Sequence, residues 1–165
     1  MHSISLLKLK IYVLNTMINK LKTNKAPKPV GNYPHAVEVN GILYLSGIGP
    51  RNNEDNSIPG NQYDQNKNLI DYDIEQQTHA VFKNIKSILE ASSSSWEQLI
   101  DITVYLTNMK KDFKQFNAIY NLYFPDSHAT RTTVEVNALP TDIAVELKCI
   151  ASVSYTHLTL PTSQL

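Results

Sequence analysis

Glu146 stands between Val145 and Leu147 in the apolar run IAVELKCIASV (143–153). A carboxylate there is costly unless it is paired or hydrogen-bonded, so it marks a buried ion pair or a group kept for chemistry. Arg131 opens the β-rich run RTTVEV (131–136) just before it, and a guanidinium fork suits bidentate binding of a carboxylate. From the residues alone two readings stay open. One is an Arg131–Glu146 salt bridge that only holds structure. The other is a site in which the arginine binds an acid and the glutamate moves a proton.

The remaining reactive residues narrow the choice by what they lack. Cys149 is the single cysteine, which excludes an internal disulfide framework and multi-cysteine metal sites, and alone it reads as a small buried residue. His35 follows Pro34, His79 falls in a helical stretch and His128 in a loop; no HxxxH or HxH spacing occurs, so no metal is expected. With five glycines and neither GxxxxGK[ST] nor GxGxxG, a phosphate cradle is not expected. Tyr33, after Gly31-Asn32, reads either as a hydrogen-bond donor into a pocket or as loop packing. The 165 residues carry 15 basic and 15 acidic side chains, giving no global attraction to nucleic acid or acidic lipid.

These residues need a scaffold, and the periodicity supplies one. HAVEVN (35–40) and ILYLS (42–46) are β-rich runs joined at Asn40-Gly41, a strong hairpin signal because both residues tolerate positive φ. Residues 48–72 are polar, with Pro50, Pro59 and Gly60, and read as a long loop. Asp73 is placed to cap a helix over 74–91, with Ile74, Val81, Ile85, Ile88 and Leu89 on one stripe. After SSSS (92–95) and Trp96, IDITVYLT (100–107) alternates as a half-buried strand. A second amphipathic helix is predicted over 111–124, with Phe113, Phe116, Tyr120 and Phe124 on its apolar side and Pro125 as its stop. Strands over 131–136 and 143–153 complete the order β-β-α-β-α-β-β, an α+β fold with two helices on one face of a mixed sheet. The other face needs a cover, and subunit association supplies one.

At these residues the sequence resembles the Rid (YjgF) enamine/imine deaminases, from about Lys25 to Val153. The most specific stretch is TRTTVEVNALPTDIAVELKCIA (130–151), supported by GNYPHAV (31–37), LYLSG (43–47) and FNAIYNLYF (116–124). Within the family, Tyr33-Pro34-His35, Arg51 after SGIGP, and RTTVEV look most like the 2-aminomuconate deaminase branch. The 2-aminoacrylate deaminases usually carry Ser or Thr in place of Pro34, and Cys or similar in place of Thr133. The resemblance implies a chorismate-mutase-like fold and a homotrimer with sites between subunits, Arg131 and Tyr33 meeting from different chains. It implies that Arg131 clamps the substrate carboxylate and that Glu146 activates water. Tyr33 and Asn117 are implied to orient the substrate. Arg51 is a candidate second cation for a dicarboxylate, or simply a solvated loop arginine, and His35 a candidate for the same task or for proton shuttling. No cofactor is implied.

The ends differ from the middle. Residues 1–24 hold four lysines and no acid, and Lys8 and Lys10 break an apolar run too short to span a membrane; the segment reads as a disordered extension, with Met17 a candidate start. SYTHLTLPTSQL (154–165) resembles adapter read-through and is expected to be a non-native tail. The stretch 25–153 then holds eleven basic and fifteen acidic residues, a net −4. Without a clear secretory signal the expected location is cytoplasmic, and the expected partner a small carboxylate rather than nucleic acid or membrane. Two alternatives remain: a general 2-aminoacrylate-type deaminase, and a non-catalytic ligand- or RNA-binding trimer. The latter would require a basic surface stripe.

Overall fold

A computed structural model of the chain describes residues 18–126 and 129–154. The expectations for residues 1–17, for Met17 as a start, for His128 and for the tail beyond Ser154 lie outside the described residues.

Asn40 and Gly41 have φ of 51° and 81°, which closes the predicted hairpin between β2 (Ala36–Val39) and β3 (Ile42–Leu45). One strand precedes it. β1 (Ile18–Leu21) pairs antiparallel with β2, so part of the stretch expected to be a disordered extension is the edge strand of the sheet. Its residues INKL are mostly exposed and alternate weakly; the backbone ladder, with Asn19 donating to Glu38 at 2.5 Å, holds it in place. No hydrophobic pattern announces such a strand.

The long loop over 48–72 also contains structure. β4 (Gln62–Tyr63) and β5 (Leu69–Asp71) form a separate small hairpin. Asp64 organises its turn, accepting from the amides of Asn66 at 2.9 Å and Asn68 at 2.8 Å. Asp73 then caps α1 (Ile74–Ala91), accepting from the amides of Glu75 and Gln76. A short 3₁₀ turn at Trp96–Gln98 leads into β6 (Leu99–Leu106), and α2 (Met109–Tyr123) connects β6 to β7 (Thr130–Glu135). β8 (Val145–Ser152) ends the fold.

The main sheet runs β1-β2-β3-β8-β6-β7, with β6–β7 parallel and the other pairs antiparallel. Both helices lie on one face of this mixed sheet. On β8 the buried side chains are Val145, Leu147, Cys149 and Ala151, and on β6 they are Ile102, Val104 and Leu106, all facing the helices. Phe82 of α1 is fully buried among the rings of Trp96, Phe116, Tyr120, Tyr123 and Phe124. Among the described residues none forms a layer over the opposite face, which carries Tyr44, Thr103, Tyr105, Glu146 and Lys148. β8 is therefore covered on one side only, and its apolar Ile150 faces outward because the strand's second face belongs to the open side.

Replacing Asp73 by Ala removes the side-chain acceptor for two otherwise unpaired amides. It should lower stability by about 1 kcal/mol in denaturant unfolding, with the m-value unchanged.

Candidate active site

Glu146 follows directly from the alternation of β8. Its neighbours Val145 and Leu147 pack under the helices, so its own side chain leaves on the opposite face, opposite Tyr105 of β6. The N-terminal end of β8 is fixed by a bridge to Ile48: the Ile48 amide donates to the Leu147 carbonyl at 2.8 Å and the Leu147 amide donates back at 3.0 Å. The carboxylate lies flat against Gly47. A Cβ at Gly47 would come within 2.8 Å of Glu146 Cδ, so a larger residue here would push the end of the Glu146 side chain aside.

Around this carboxylate is a narrow cleft with an accessible volume of about 40 Å³. Tyr33, His35, Gly47, Arg51, Thr141 and Glu146 are among its walls. No protein donor reaches the Glu146 carboxylate among the described residues, and burial alone raises its pKa above the ordinary carboxylate range. A half-buried carboxylate with free lone pairs and a raised proton affinity can hold a water and accept a proton from it. Tyr33, 40% exposed, turns on a bond from its amide to the Gly31 carbonyl.

His35 and Arg51 share this cleft, but their polar atoms are engaged. His35 Nδ1 accepts from the Thr23 amide at 3.2 Å, which places the proton on Nε2, 3.1 Å from the Pro27 carbonyl. With both nitrogens on backbone, His35 is arranged to hold segment 23–27 across the cleft, which favours positioning over the expected proton shuttling. Arg51 donates to Asn56 Oδ1 at 2.8 Å and to the Lys28 carbonyl at 2.7 Å, so it ties the same strap down from the other wall. A guanidinium has five N–H groups, and these two bonds leave donors over.

Arg131 and Asn117 are elsewhere. Arg131 aligns with Ile102 across the parallel β6–β7 pair, which puts its side chain on the helix face, where the guanidinium stacks 4.4 Å over the Tyr120 ring. Glu146 is on the other face. An internal Arg131–Glu146 salt bridge is therefore not formed. Beside Arg131, Asn117 Oδ1 and Thr133 Oγ1 are buried without hydrogen-bond partners. Thr133 is two residues along the same face of β7, and Asn117 one turn from Tyr120 on α2. Arg131, Thr133, Asn117 and Tyr120 thus make a second cluster: a cation on an aromatic ring, with two buried polar atoms that have no hydrogen-bond partner among the described residues. Arg51 and Arg131 are the two arginines of the chain, one in each cluster.

Two contributors went unforeseen. Gly47 was visible only as part of LYLSG, and Tyr120 read as an apolar helix residue; each acts through a contact between elements distant in sequence. Cys149 is buried, its thiol pushed up to about 12, and is no nucleophile. Among the described residues no group of three or more His, Cys, Asp or Glu side chains is placed to hold a metal ion, and no helix is long and apolar enough to cross a membrane.

Two helices on a six-stranded mixed sheet define a small α+β protein, with a glycine-backed glutamate in one cleft and an arginine cluster at the far edge of the sheet. The family model described as Endoribonuclease L-PSP matches residues 23–153. A RutC family protein of Saccharolobus solfataricus is 41% identical over 132 residues, covering 80% of this chain and 95% of its own. Reactive Intermediate Deaminase A, chloroplastic, of Arabidopsis thaliana is 33% identical over 132 residues, covering 80% of this chain and 64% of its own. The crystal structure of the Rid family protein YyfA of Yersinia pestis superposes with a TM-score of 0.72 at 34% identity, covering 83% of this chain and 100% of that one. The chain belongs to this Rid/YjgF/RutC (L-PSP) family.

The raised pKa of Glu146 has a consequence for stability. A carboxyl whose folded pKa lies above its unfolded value makes the folded state lose stability as pH rises between the two. Glu146→Gln lacks this loss. Its thermal midpoint should therefore gain on that of the parent between pH 4 and pH 7, and equal shifts at both pH values would contradict the burial.

Proposed function

We propose that the protein hydrolytically deaminates an enamine/imine acid, 2-aminomuconate or a close relative, to the 2-oxo acid and ammonia. Family membership supports an enamine/imine deaminase role in general, and the Arabidopsis relative carries the name of such an enzyme. The observation that carries the reading is Glu146: a half-buried carboxylate with no protein hydrogen-bond partner among the described residues, packed against a glycine in a cleft.

In this reading the enamine first tautomerises to the imine. Glu146 takes a proton from a bound water, whose oxygen adds to the imine carbon to give a carbinolamine. The same carboxyl returns that proton to nitrogen, then carries the carbinolamine's hydroxyl proton to nitrogen as well, so that the C–N bond breaks with ammonia as the leaving group and the C–O bond becomes the carbonyl. Arg131 binds the carboxylate next to that carbon, with Asn117 beside it, and Tyr33 closes over the substrate. Arg131 lies on the helix face near the sheet edge and Glu146 on the open face, so the reaction calls on Arg131 of a second copy. A homotrimer that covers the open face would supply it.

The narrower choice of 2-aminomuconate rests on Tyr33-Pro34-His35, on Thr133 and on Arg51. Arg51 keeps donors free in the cleft, and a second carboxylate would use them. A ribonuclease reading follows from the description of the family model. It finds less support in the cleft, where His35 is bound through both nitrogens.

Ammonia release from 2-aminomuconate and from 2-aminoacrylate tests the reading. Glu146→Gln should abolish turnover of both, and Gly47→Ala, which crowds that carboxylate, should lower kcat on the order of 100-fold. Arg51→Ala should harm the dicarboxylate alone. No turnover of either compound, or cleavage of RNA by the parent but not by Glu146→Gln, would refute it.

Division of the site between copies has its own check. Glu146→Gln and Arg131→Ala, each inactive alone, should recover activity when unfolded and refolded together, because some interfaces then hold both native residues. A mixture as inactive as its components would place the site within one chain.

A further inference from the structure

Helix α1 carries two amides where packing would call for apolar side chains. Gln77 and Asn84 are seven residues apart, about two turns, and so share a face; they are 0% and 6% exposed. A buried amide is retained at a cost unless its bonds are made, and both make theirs to backbone or to a side chain that holds backbone. Gln77 Oε1 accepts from the Ala144 amide at 2.8 Å, and its Nε2 donates to Asn61 Oδ1 at 2.7 Å. Asn61 in turn donates to the Asp142 carbonyl at 2.8 Å. Asn84 Nδ2 donates to the carbonyls of Gly49 at 3.0 Å and Arg51 at 2.9 Å.

The Asn84 bonds end on Gly49 and Arg51, which line the Glu146 cleft, and the Gln77 bonds end on Ala144 and, through Asn61, on Asp142, which flank the lining residue Ile143. Thr141 and Ile143 belong to one wall, Gly49 and Arg51 to the other. Ala144 is two residues before Glu146, and Gly49 two residues after the glycine against which Glu146 lies. The walls join at the Ile48–Leu147 bridge, so a helix gripping both of them fixes the angle at which the Glu146 carboxylate enters the cleft.

We infer that Gln77 and Asn84 are positioning residues: from α1 they clamp the 142–144 and 49–51 backbone and thereby set where the Glu146 carboxylate and its water sit. This rests on the reading of Glu146 as the base. Neither amide touches the reacting atoms, since each is spent on backbone or on Asn61.

The test compares Gln77→Met and Asn84→Leu, which keep side-chain volume but remove the bonds, with Glu146→Gln as reference. Steady-state ammonia release gives kcat, KM and the pH profile of kcat/KM. Both variants should melt cooperatively, lose on the order of 10- to 100-fold in kcat with less than a threefold change in KM, and show an acid limb moved toward that of an ordinary carboxylate as Glu146 loosens. Wild-type kcat and an unmoved acid limb in the folded variants, with Glu146→Gln inactive, would overturn the inference alone. An active Glu146→Gln would instead overturn the proposed function. If Gln77→Met does not fold, the half-exposed Asn61→Ala loosens the same wall, and an unchanged profile there overturns the inference equally.

Discussion

Burying Val145, Leu147, Cys149 and Ala151 of β8 beneath the helices forces Glu146 to the other side of the sheet, because successive side chains of a strand point in opposite directions. Each buried apolar side chain contributes roughly 1.5–3 kcal/mol. A slip of one residue would expose all four and drive an unpaired carboxylate under the helices, at a further cost of several kcal/mol. β8 lies between β3 and β6, so its register is held from both sides. The position of the candidate base is thus a by-product of core packing, and the bridge from Ile48 to Leu147 brings the glycine-backed cleft to it.

The cleft is then shaped by polar groups that the core tolerates because they are satisfied. His35 and Arg51 hold the 23–28 strap from two sides, while Gln77 and Asn84 hold the walls from α1. These bonds join segments far apart in the chain, and each spares a buried polar group the cost of going unpaired. Across the sheet, the Arg131 cluster is left differently. The Arg131 guanidinium is stacked on Tyr120, and Asn117 Oδ1 and Thr133 Oγ1 are buried without hydrogen-bond partners among the described residues. The sheet itself stands between this cluster and the Glu146 cleft.

How much of this could be read beforehand follows the range of the interaction responsible. The helix over 74–91, its Asp73 cap and the Asn40-Gly41 turn rest on contacts within a few residues, and the structure places them where the pattern does. β1 and the β4–β5 hairpin went unread because partner backbone and an Asp64 turn stabilise them, with little apolar periodicity to mark them. Arg51 and His35 were recognisable as polar residues near a pocket. That both His35 nitrogens and one Arg51 donor are engaged by the strap depends on Thr23, Pro27 and Lys28 folding back over them.

The sequence by itself determined the two-layer α+β architecture, the alternation that sets Glu146 apart from its apolar neighbours, and the pairing of a strand arginine with a strand glutamate as the residues of interest. All of these are properties of local period and residue chemistry. Only the tertiary structure decided that Arg131 and Glu146 occupy opposite faces and form no pair, that Gly47 backs the carboxylate, and that buried amides on α1 grip both walls. Those facts depend on which strands become neighbours and in what register, and no local pattern encodes that.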